Sequence, residues 1–296
     1  MRLLILSDKR AGHENQSIAF AKHLNAEFEI VDVKFSNKTF KLLSYFLDFL
    51  HIYTKNIFTC KDISKNYDFI VSTGSSTYYA NKTLSKKHKI KSIVLMLPKN
   101  YRFDFNFIFA QTHDNPPNKN NIINIPANFS YIEPKQIYKP LKKSIGIVIG
   151  GDNTVFKMKI ETLKKQLDFI KSHFFDYEIA VTSSPRTSKE IEELIESYCF
   201  DYSVIFSQKK VNPIPDFLQN CEYVFITIDS TSMISEAISY GNSYVEILPI
   251  NEKKDNKFYK MTRSLEDSDF LHIFDNQVSN KNKKVDFLKY ARKVVL

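Results

Sequence analysis

The chain has 296 residues, of which 43% are hydrophobic and 25% are charged. This is an ordinary globular composition, and it argues against a disordered, collagen-like or coiled-coil chain. The length is roughly twice that of the commonest domain, so we expect two domains. Glycine is scarce, with only six residues, so each one is expected to mark a position where the backbone needs it.

The cysteine content and the N-terminus both bear on where the protein resides. Cys60, Cys199 and Cys221 are too few and too scattered for a disulfide framework or a zinc site. The apolar run between Arg2 and Asp8 is shorter than a signal-peptide core, and no run of about 18 apolar residues marks a spanning helix. We therefore expect a cytoplasmic protein.

The net charge of +9 lies entirely in the first half of the chain. Residues 1–140 contain 20 Lys+Arg and 11 Asp+Glu, whereas residues 141–296 contain 22 of each. This asymmetry favours an anionic partner for the first half, such as a phospholipid leaflet, a phosphorylated glycolipid or a nucleic acid. A solvated lysine-rich surface is the alternative. Because the chain has no zinc-finger, helix-turn-helix or RNA-recognition signature, we expect no nucleic-acid partner.

Residues 35–58 are rich in Phe, Leu, Tyr and Ile, but Lys41, Asp48, His51 and Lys55 interrupt them. These charges argue against a spanning helix. One interpretation is a helix or helical hairpin packed on the domain core, which is the commoner role of an aromatic stripe. The other is a segment that lies at an anionic membrane surface with its apolar face down.

Short apolar runs alternate with longer helical patterns along the whole chain. The runs are nearly continuous in Ile, Val, Leu and Phe, which is typical of parallel strands with helices on both faces. The predicted strands are residues 2–7, 28–33, 68–73, 91–97, 105–110, 122–126, 144–150, 177–183, 203–206, 222–228 and 243–248. An extended, proline-punctuated segment over residues 126–140 separates the sixth strand from the seventh.

The sequence therefore predicts an α/β fold of two Rossmann-like, doubly wound domains that face a central cleft. Residues 1–140 would form the N-terminal domain, whose positive charge could face a membrane, and residues 141–296 the C-terminal domain, with the last helix free to pack back on the first domain. In such folds ligands bind at the carboxyl ends of the strands.

Two loops of the first domain carry candidate chemistry. Polar residues 8–16 follow the first strand and precede a helix predicted over residues 17–24. Asp8, His13 or Glu14 could act as a general base toward an acceptor hydroxyl, although a simple helix cap is the alternative. The hydroxyl-rich turn at 73–77, after the third strand, could hold an anion with its backbone amides or merely cap the next helix.

Two loops of the second domain also follow strands. The adjacent Gly150 and Gly151 suggest that a ligand or the other domain approaches the backbone closely, but the spacing matches neither a dinucleotide fingerprint nor a P-loop. After the next strand, Arg186 lies beside Thr182 and Ser183 and could clamp a phosphate or carboxylate, unless it is an ordinary surface arginine.

The segment 229–236 is the most specific of these signals. Its hydroxyls and free amides, at the start of a helix, would bind a diphosphate, and Glu236 further along could reach ribose hydroxyls. Capping of the helix by Ser230 or Ser232 is the alternative. The triplet 267–269, Asp-Ser-Asp, is expected to be a solvated turn, so no metal site is predicted.

These motifs resemble, in the same order, those of the ELM family, which is named for plant mitochondrial fission proteins and is widespread in bacteria. They are SDKRAGHENQS at 7–17, GG at 150–151, VTSSPRT at 181–187 and IDSTSMISEAISYGNSYVEI at 228–247. Lys9 stands where family members commonly have glycine, and the order of TSSPRT is shuffled. The family is similar to the GT-B glycosyltransferases, whose first domain binds the acceptor and whose second binds the nucleotide-sugar donor.

The resemblance implies a metal-independent glycosyltransferase without a cofactor, which moves a sugar from a nucleotide-sugar donor to a cell-envelope glycolipid or polysaccharide at the inner face of the cytoplasmic membrane. A nucleotide-sugar epimerase and a non-catalytic peripheral scaffold are the alternatives. The expected acceptor-binding residues are Lys9, Arg10, Gly12, Thr73, Gly74 and Ser75. The expected donor-binding residues are Gly150, Gly151, Asn153, Thr182, Ser183, Arg186, Asp229, Ser230, Thr231, Ser232, Met233 and Glu236.

Overall fold

A computed structural model describes residues 1–63, 66–250 and 256–295 of the protein. The chain forms two compact units, which we call unit 1 (Met1–Tyr131 and Asp286–Leu296) and unit 2 (Ile132–Val285). The boundary thus falls at residue 131 rather than near residue 140. The proline-punctuated segment belongs largely to unit 2, because the buried carboxylate of Asp216 accepts hydrogen bonds from four consecutive backbone N–H groups of that segment, at Lys135, Gln136, Ile137 and Tyr138.

Unit 1 is built on a parallel six-stranded sheet and a small two-stranded ribbon. The strands of the unit are β1 (Arg2–Ser7), β2 (Glu27–Asp32), β3 (Lys34–Phe35), β4 (Phe58–Thr59), β5 (Phe69–Ser72), β6 (Lys91–Val94), β7 (Phe107–Gln111) and β8 (Ile122–Ile125). The sheet has the order β2-β1-β5-β6-β7-β8, and β3 pairs with β4 in a small antiparallel ribbon. In the register of the central strands, Ile5 lies between Ile30 and Val71. The helices are α1 (Ala11–His23), α2 (Lys38–Phe49) and α3 (Tyr78–His88).

Unit 2 repeats this architecture. Its strands are β9 (Ser144–Ile149), β10 (Glu178–Ser183), β11 (Tyr202–Val204), β12 (Tyr223–Thr227), β13 (Tyr244–Leu248) and β14 (His272–Ile273), in the order β11-β10-β9-β12-β13-β14. Its helices are α4 (Ile160–His173), α5 (Lys189–Ser197), α6 (Ile214–Asn220), α7 (Thr231–Ala237) and α8 (Lys257–Glu266). The last helix, α9 (Phe287–Ala291), belongs to unit 1, where Phe287 packs on the ring of Phe129.

All eleven predicted strands are present, each within three residues of its expected ends. β1 shows why the prediction succeeds: its residues 3–7 are all buried, so a continuous apolar run is what the position requires. The three strands that the sequence did not reveal, β3, β4 and β14, have only two residues each. A run of that length has no recognisable composition.

The predicted start of the first helix was wrong. α1 begins at Ala11 instead of residue 17, so Gly12, His13 and Glu14 lie in its first turn rather than in a loop. That turn has no apolar periodicity, because its polar side chains contact the loop and strand beside it. For example, Ser7 Oγ donates a hydrogen bond of 2.5 Å to Glu14 Oε2.

α2 has an unusual distribution of side chains. It packs on the core of unit 1 through Phe40, Tyr45 and Leu47, but its fully buried residues are the polar Ser44 and Asp48. A second group of apolar side chains on and just after the helix is exposed. We call this group the α2 apolar surface; it comprises Leu42, Leu43, Phe46, Phe49, Leu50 and Ile52.

A buried ion pair explains how polar residues hold α2 in place. Lys82 Nζ lies 2.7 Å from Asp48 Oδ1, and both side chains are 1% exposed. Asp48 Oδ2 also accepts a 2.8 Å hydrogen bond from the backbone N–H of Arg102. Because both charges are paired and hydrogen-bonded, α2 can be anchored to α3 by its polar face. Within the described ranges, no helix combines the length and apolar character needed to cross a membrane.

Candidate functional site

The order of the strands singles out one place in each sheet. In unit 1 the chain adds β2 on one side of β1 and β5 on the other, so the loops after β1 and β5 diverge. In unit 2 the loops after β9 and β12 diverge in the same way. Such a switch point leaves a crevice at the carboxyl ends of the strands, where α/β proteins bind their ligands. The sequence motifs at 8–16 and 73–77, and those at 150–153 and 229–236, fall at these two places.

An aspartate and a histidine form a pair at the switch point of unit 1. His13 Nδ1 lies 3.0 and 3.1 Å from the two carboxylate oxygens of Asp8. Burial acts to raise the pKa of Asp8, but the hydrogen bonds and charges of His13 and Arg10 outweigh it and lower that pKa. Since a carboxylate can only accept, His13 Nδ1 carries the hydrogen, and in the neutral imidazole Nε2 then carries the lone pair.

The other acid of this motif is engaged elsewhere. Glu14 accepts the hydrogen bond from Ser7 described above, so its carboxylate faces β1. Of the three candidate bases, His13 is the one whose ring is oriented by a carboxylate, that of Asp8.

The loop after β5 packs directly on this histidine. Gly74 has φ +88°, and a Cβ at that position would lie 2.4 Å from the His13 ring, so only glycine fits. The neighbouring Thr73 is buried and its hydroxyl is 2.8 Å from that of Ser17, so it joins the loop to α1 rather than facing a ligand.

A lysine that the sequence analysis did not select completes the site in unit 1. Lys41 Nζ of α2 donates hydrogen bonds of 3.0 and 3.2 Å to the hydroxyls of Ser75 and Ser76. Burial and the nearby Arg10 lower the pKa of Lys41, against the opposing effect of Asp8. Its only signal in the sequence was a charge inside an aromatic stretch.

The remaining acceptor-site candidates, Lys9, Arg10 and Gly12, are exposed. Lys9 has φ +62°, the left-handed region that favours glycine, which explains the glycine common at this position in the ELM family. Its ammonium is 2.8 Å from Asp32 and both are exposed. Arg10 is the exposed N-cap residue of α1, and nothing lies near the Cα of Gly12 on the side that a Cβ would occupy.

In unit 2, the fully buried Asp229 carboxylate ties three loops together. Its Oδ2 lies 2.6 Å from Arg186 Nη2 and accepts a 3.1 Å hydrogen bond from Gly151 N–H. Thr227 Oγ1 donates to its Oδ1 at 2.6 Å, and Asn153 Nδ2 donates to its backbone oxygen at 3.1 Å. Arg186, expected to clamp a ligand phosphate, is therefore committed to Asp229.

The glycine pair is explained by the same network. A Cβ on Gly150 would lie 2.1 Å from Asp229 Oδ1, and a Cβ on Gly151 would lie 2.0 Å from the carbonyl oxygen of Arg186. Asp229 and Arg186 of the same unit thus approach these glycines closely, whereas the sequence suggested a ligand or the other domain.

Beside this network lies a cavity of about 510 Å³ that is formed entirely by unit 2. Its walls come from the ends of β9 and β10, from α7 and from two segments that the sequence analysis did not select. The lining residues are Lys135, Ile137, Val148, Thr182, Ser183, Ser184, Pro185, Phe206, Lys210, Val211, Asn212, Ile214, Met233 and Glu236. Lys135 and Ile137 are held there by the Asp216 carboxylate.

Glu236 is the exceptional side chain of this cavity. No described residue donates a hydrogen bond to its carboxylate or forms an ion pair with it, and burial alone raises its pKa to about 7. Glu236 is half-buried, and carboxylates that are withdrawn from water are normally paired or hydrogen-bonded. A carboxylate that faces a cavity without a partner is therefore ready to accept hydrogen bonds from a ligand.

The other donor-site candidates either form hydrogen bonds within unit 2 or lie at the start of α7. Ser183 Oγ donates to Glu192 and Thr182 Oγ1 to the carbonyl of Val204, at 3.0 and 3.2 Å. Ser230 caps α7 by accepting the Met233 N–H at 3.4 Å, while Thr231 and Ser232 begin the helix beside it. Within the described ranges, no group of three or more His, Cys, Asp or Glu residues is placed to hold a metal ion.

Comparison with known proteins adds to this geometry. The family model described as "Mitochondrial fission ELM1" matches residues 11–294. RP120 of Rickettsia prowazekii (strain Madrid E), an uncharacterized protein, is 24% identical over 352 aligned positions, with 99% of both chains covered.

Two solved structures resemble the chain over most of its length. One is the glycosyltransferase SnogD from Streptomyces nogalater, with a TM-score of 0.51, 10% identity, and 92% of this chain and 86% of that chain covered. The other, described as a "putative UDP-N-acetylglucosamine 2-epimerase" from Listeria monocytogenes, has a TM-score of 0.52, 11% identity, and 99% and 94% coverage. At these identities the likeness shows the fold, which is the predicted GT-B type with two parallel sheets.

The space around two glycines predicts opposite effects of their substitution on stability, because Gly151 is in close contact with another backbone segment and Gly12 is not. We expect Gly151→Ala to destabilise unit 2 by about 2 kcal/mol or more, because its Cβ would displace the Arg186 backbone. Gly12→Ala lies in an open helical position and should stabilise unit 1 by about 0.5–1 kcal/mol. Urea unfolding of both variants measures the difference, and equal effects would contradict it.

The raised pKa of Glu236 predicts a pH-dependent stability. Folding favours its protonated form, so this stabilising contribution is complete below its ordinary pKa of 4.5 and is lost as the pH rises to about 7. Glu236→Gln removes the penalty of the charged form. The free energy of unfolding of the variant minus that of wild type should therefore be larger at pH 8 than at pH 4.5, by on the order of 2 kcal/mol. The exposed Glu193→Gln is the control, and a difference independent of pH would disprove the assignment.

Proposed function

Given that the chain belongs to the mitochondrial fission ELM1 family, which confirms the resemblance of its motifs, we propose that it is a glycosyltransferase that binds a nucleotide-sugar donor in unit 2 and an acceptor hydroxyl in unit 1. The observation that carries this proposal is the unit 2 cavity with the unpartnered Glu236. The fold, shared with SnogD, supports it.

The cavity has the size and chemistry that a nucleotide needs. Its volume of about 510 Å³ is in the range of small-molecule sites. Phe206, Val211 and Ile214 supply apolar wall for a base, while Lys135 and Lys210 supply positive charge for phosphates. The ribose diol is the part of a nucleotide that can donate two hydrogen bonds to one carboxylate, so Glu236 would select the ribose.

The Asp229 network would act indirectly on the donor. It holds the loops of Gly150, Asn153 and Arg186 beside the start of α7, where the amides and hydroxyls of Ser230, Thr231 and Ser232 would face the phosphates. These amides and the lysines of the cavity would stabilise negative charge on the departing nucleotide. Under this proposal the roles of metal ions and cofactors are taken by the protein's own groups.

His13 would be the general base of unit 1. Its Nε2 would take the proton from the acceptor hydroxyl as the bond to the anomeric carbon forms, and the nucleotide would leave with the electron pair of the broken bond. Asp8 would hold the ring through Nδ1 and stabilise the imidazolium that results. Lys41, Ser75 and Gly74 would position the acceptor beside it.

The acceptor class follows from charge and surface. The excess of positive charge lies in residues 1–140, and α2 exposes an apolar surface next to the acceptor loop to which Lys41 binds. A glycolipid of the cell envelope, held in an anionic leaflet at the inner face of the cytoplasmic membrane, matches both features. The enzyme would thus be a peripheral membrane protein.

Nucleotide-sugar epimerisation is the second candidate, because the Listeria epimerase shares the fold to the same degree. An epimerase acts on the nucleotide sugar alone and needs no acceptor, so incubation with nucleotide sugar in the absence of lipid separates the two reactions. A scaffold without catalysis, the alternative suggested by the family's name, needs no ligand at Glu236.

A thermal-shift screen against UDP, GDP, TDP, ADP and CMP tests the donor site. A nucleotide at about 100 times its Kd should stabilise the native state by about 2.7 kcal/mol and raise the Tm by several degrees. Glu236→Ala should abolish most of the shift while leaving the fold intact, whereas Glu193→Ala should not change it. If none of the five nucleotides raised the Tm, the result would favour the scaffold.

The proposed base predicts a large loss of activity at one position. Transfer of labelled sugar to a bacterial lipid extract should fall by about 10²–10⁴-fold in His13→Ala, because proton transfer is lost, and less in Asp8→Asn, where only the orientation suffers. His173→Ala, an exposed histidine of α4, is the control. If His13→Ala transferred sugar at the wild-type rate, the assignment of the base would be wrong.

A further inference from the structure

In addition to the cavity of unit 2, a cavity of about 390 Å³ lies in unit 1. It is at the end of the sheet opposite to His13, where α3 ends and β6 begins. Four lysines line it: Lys82, Lys86, Lys89 and Lys91. Of its lining residues one carries a carboxylate, Asp104, and that group is already bound to Lys82 and to Arg102. The cavity is therefore strongly electropositive.

Three of these lysines have no acidic partner. Lys82 is paired with Asp48 and Asp104, but Lys86, Lys89 and Lys91 form no ion pair with any carboxylate of the described chain. Lys86 Nζ lies 3.8 Å from the centre of the Tyr53 ring, which orients it without neutralising it. We call Lys86, Lys89 and Lys91 the lysine pocket. All three lysines are exposed and line the same cavity. Like charges around one cavity repel each other, and a bound anion would relieve this repulsion.

The lysine pocket adjoins the α2 apolar surface. Asp48 of α2 binds Lys82 in the wall of the cavity, and its carboxylate also accepts a 3.1 Å hydrogen bond from Tyr53, over which Lys86 lies. Ile52, next to Tyr53, is 47% exposed, and Phe49 at the end of α2 is 70% exposed. An anion site and an exposed apolar surface thus lie side by side on one unit.

We propose that the lysine pocket binds the phosphate of an anionic phospholipid headgroup while the α2 apolar surface enters the same leaflet. A phospholipid is a molecule that presents a phosphate directly beside acyl chains, which is the juxtaposition that the two surfaces match. The inference deepens the proposed membrane attachment and rests on it. It assigns a headgroup site that is separate from the acceptor site at His13.

The test is binding of the full chain to phosphatidylcholine vesicles with and without phosphatidylglycerol, measured by sedimentation. Wild type should bind the anionic vesicles more tightly, and less so at high salt. The variant Lys86→Gln/Lys89→Gln/Lys91→Gln should lose at least about tenfold in affinity for them. Lys142→Gln/Lys164→Gln/Lys165→Gln removes the same charge from exposed positions of unit 2 and should lose no more than about threefold.

Two further arms separate the possible failures. Phe46→Ser/Phe49→Ser should weaken binding to both kinds of vesicle. If wild type binds no vesicle, membrane attachment itself is wrong; if it binds but the two lysine variants behave alike, the headgroup site alone is wrong. A thermal shift with inorganic phosphate that the lysine-pocket variant loses, together with unchanged vesicle binding, would make the pocket a site for a free anion and overturn the proposal.

Discussion

In each unit the strand that begins the sheet ends up in its interior, with later strands added on both sides, and the candidate sites depend on this constraint. β1 is flanked by β2 and β5, and β9 by β10 and β12. Because parallel strands all end at the same edge, the diverging loops leave backbone amides and polar side chains around a crevice. His13 and Gly74 meet at one such place, and Gly151 and Asp229 at the other.

Buried carboxylates organise the loops around these crevices, and their partners distinguish structural from functional roles. Asp48 is paired with Lys82, Asp216 accepts four backbone N–H groups, and Asp229 joins Arg186 to the glycine pair. Each is satisfied, as the cost of burying a charge requires. Glu236 is the contrast, since it lines a cavity and its pKa is raised by burial. A carboxylate of this kind lowers the stability of the folded chain when it is charged, which is the reason for proposing that a ligand supplies its partners.

α2 connects the functions proposed for unit 1. Its first turns place Lys41 against the acceptor loop, and its last turns place Asp48 against Lys82 beside the lysine pocket. Because these polar contacts and the side chains of Phe40, Tyr45 and Leu47 attach the helix to the unit, the α2 apolar surface remains exposed. One helix therefore links the proposed acceptor site, the α2 apolar surface and the proposed headgroup site, which is the arrangement that an enzyme acting on a membrane-bound acceptor needs.

The sequence by itself determined the eleven strands, the fold class and the family, because a buried parallel strand needs a continuous apolar run and the motifs are contiguous. It also placed His13 among three candidate bases and singled out Gly151 and Glu236, all of which lie in the segments that come after β1, β9 and β12. It did not reveal the early start of α1, the hydrogen bonds of Arg186 to Asp229 and of Lys41 to Ser75, or the position of Lys89 in a cavity. Arg186 and Asp229 are 43 positions apart in the chain, and only the order of the strands in the sheet brings such residues within hydrogen-bonding distance.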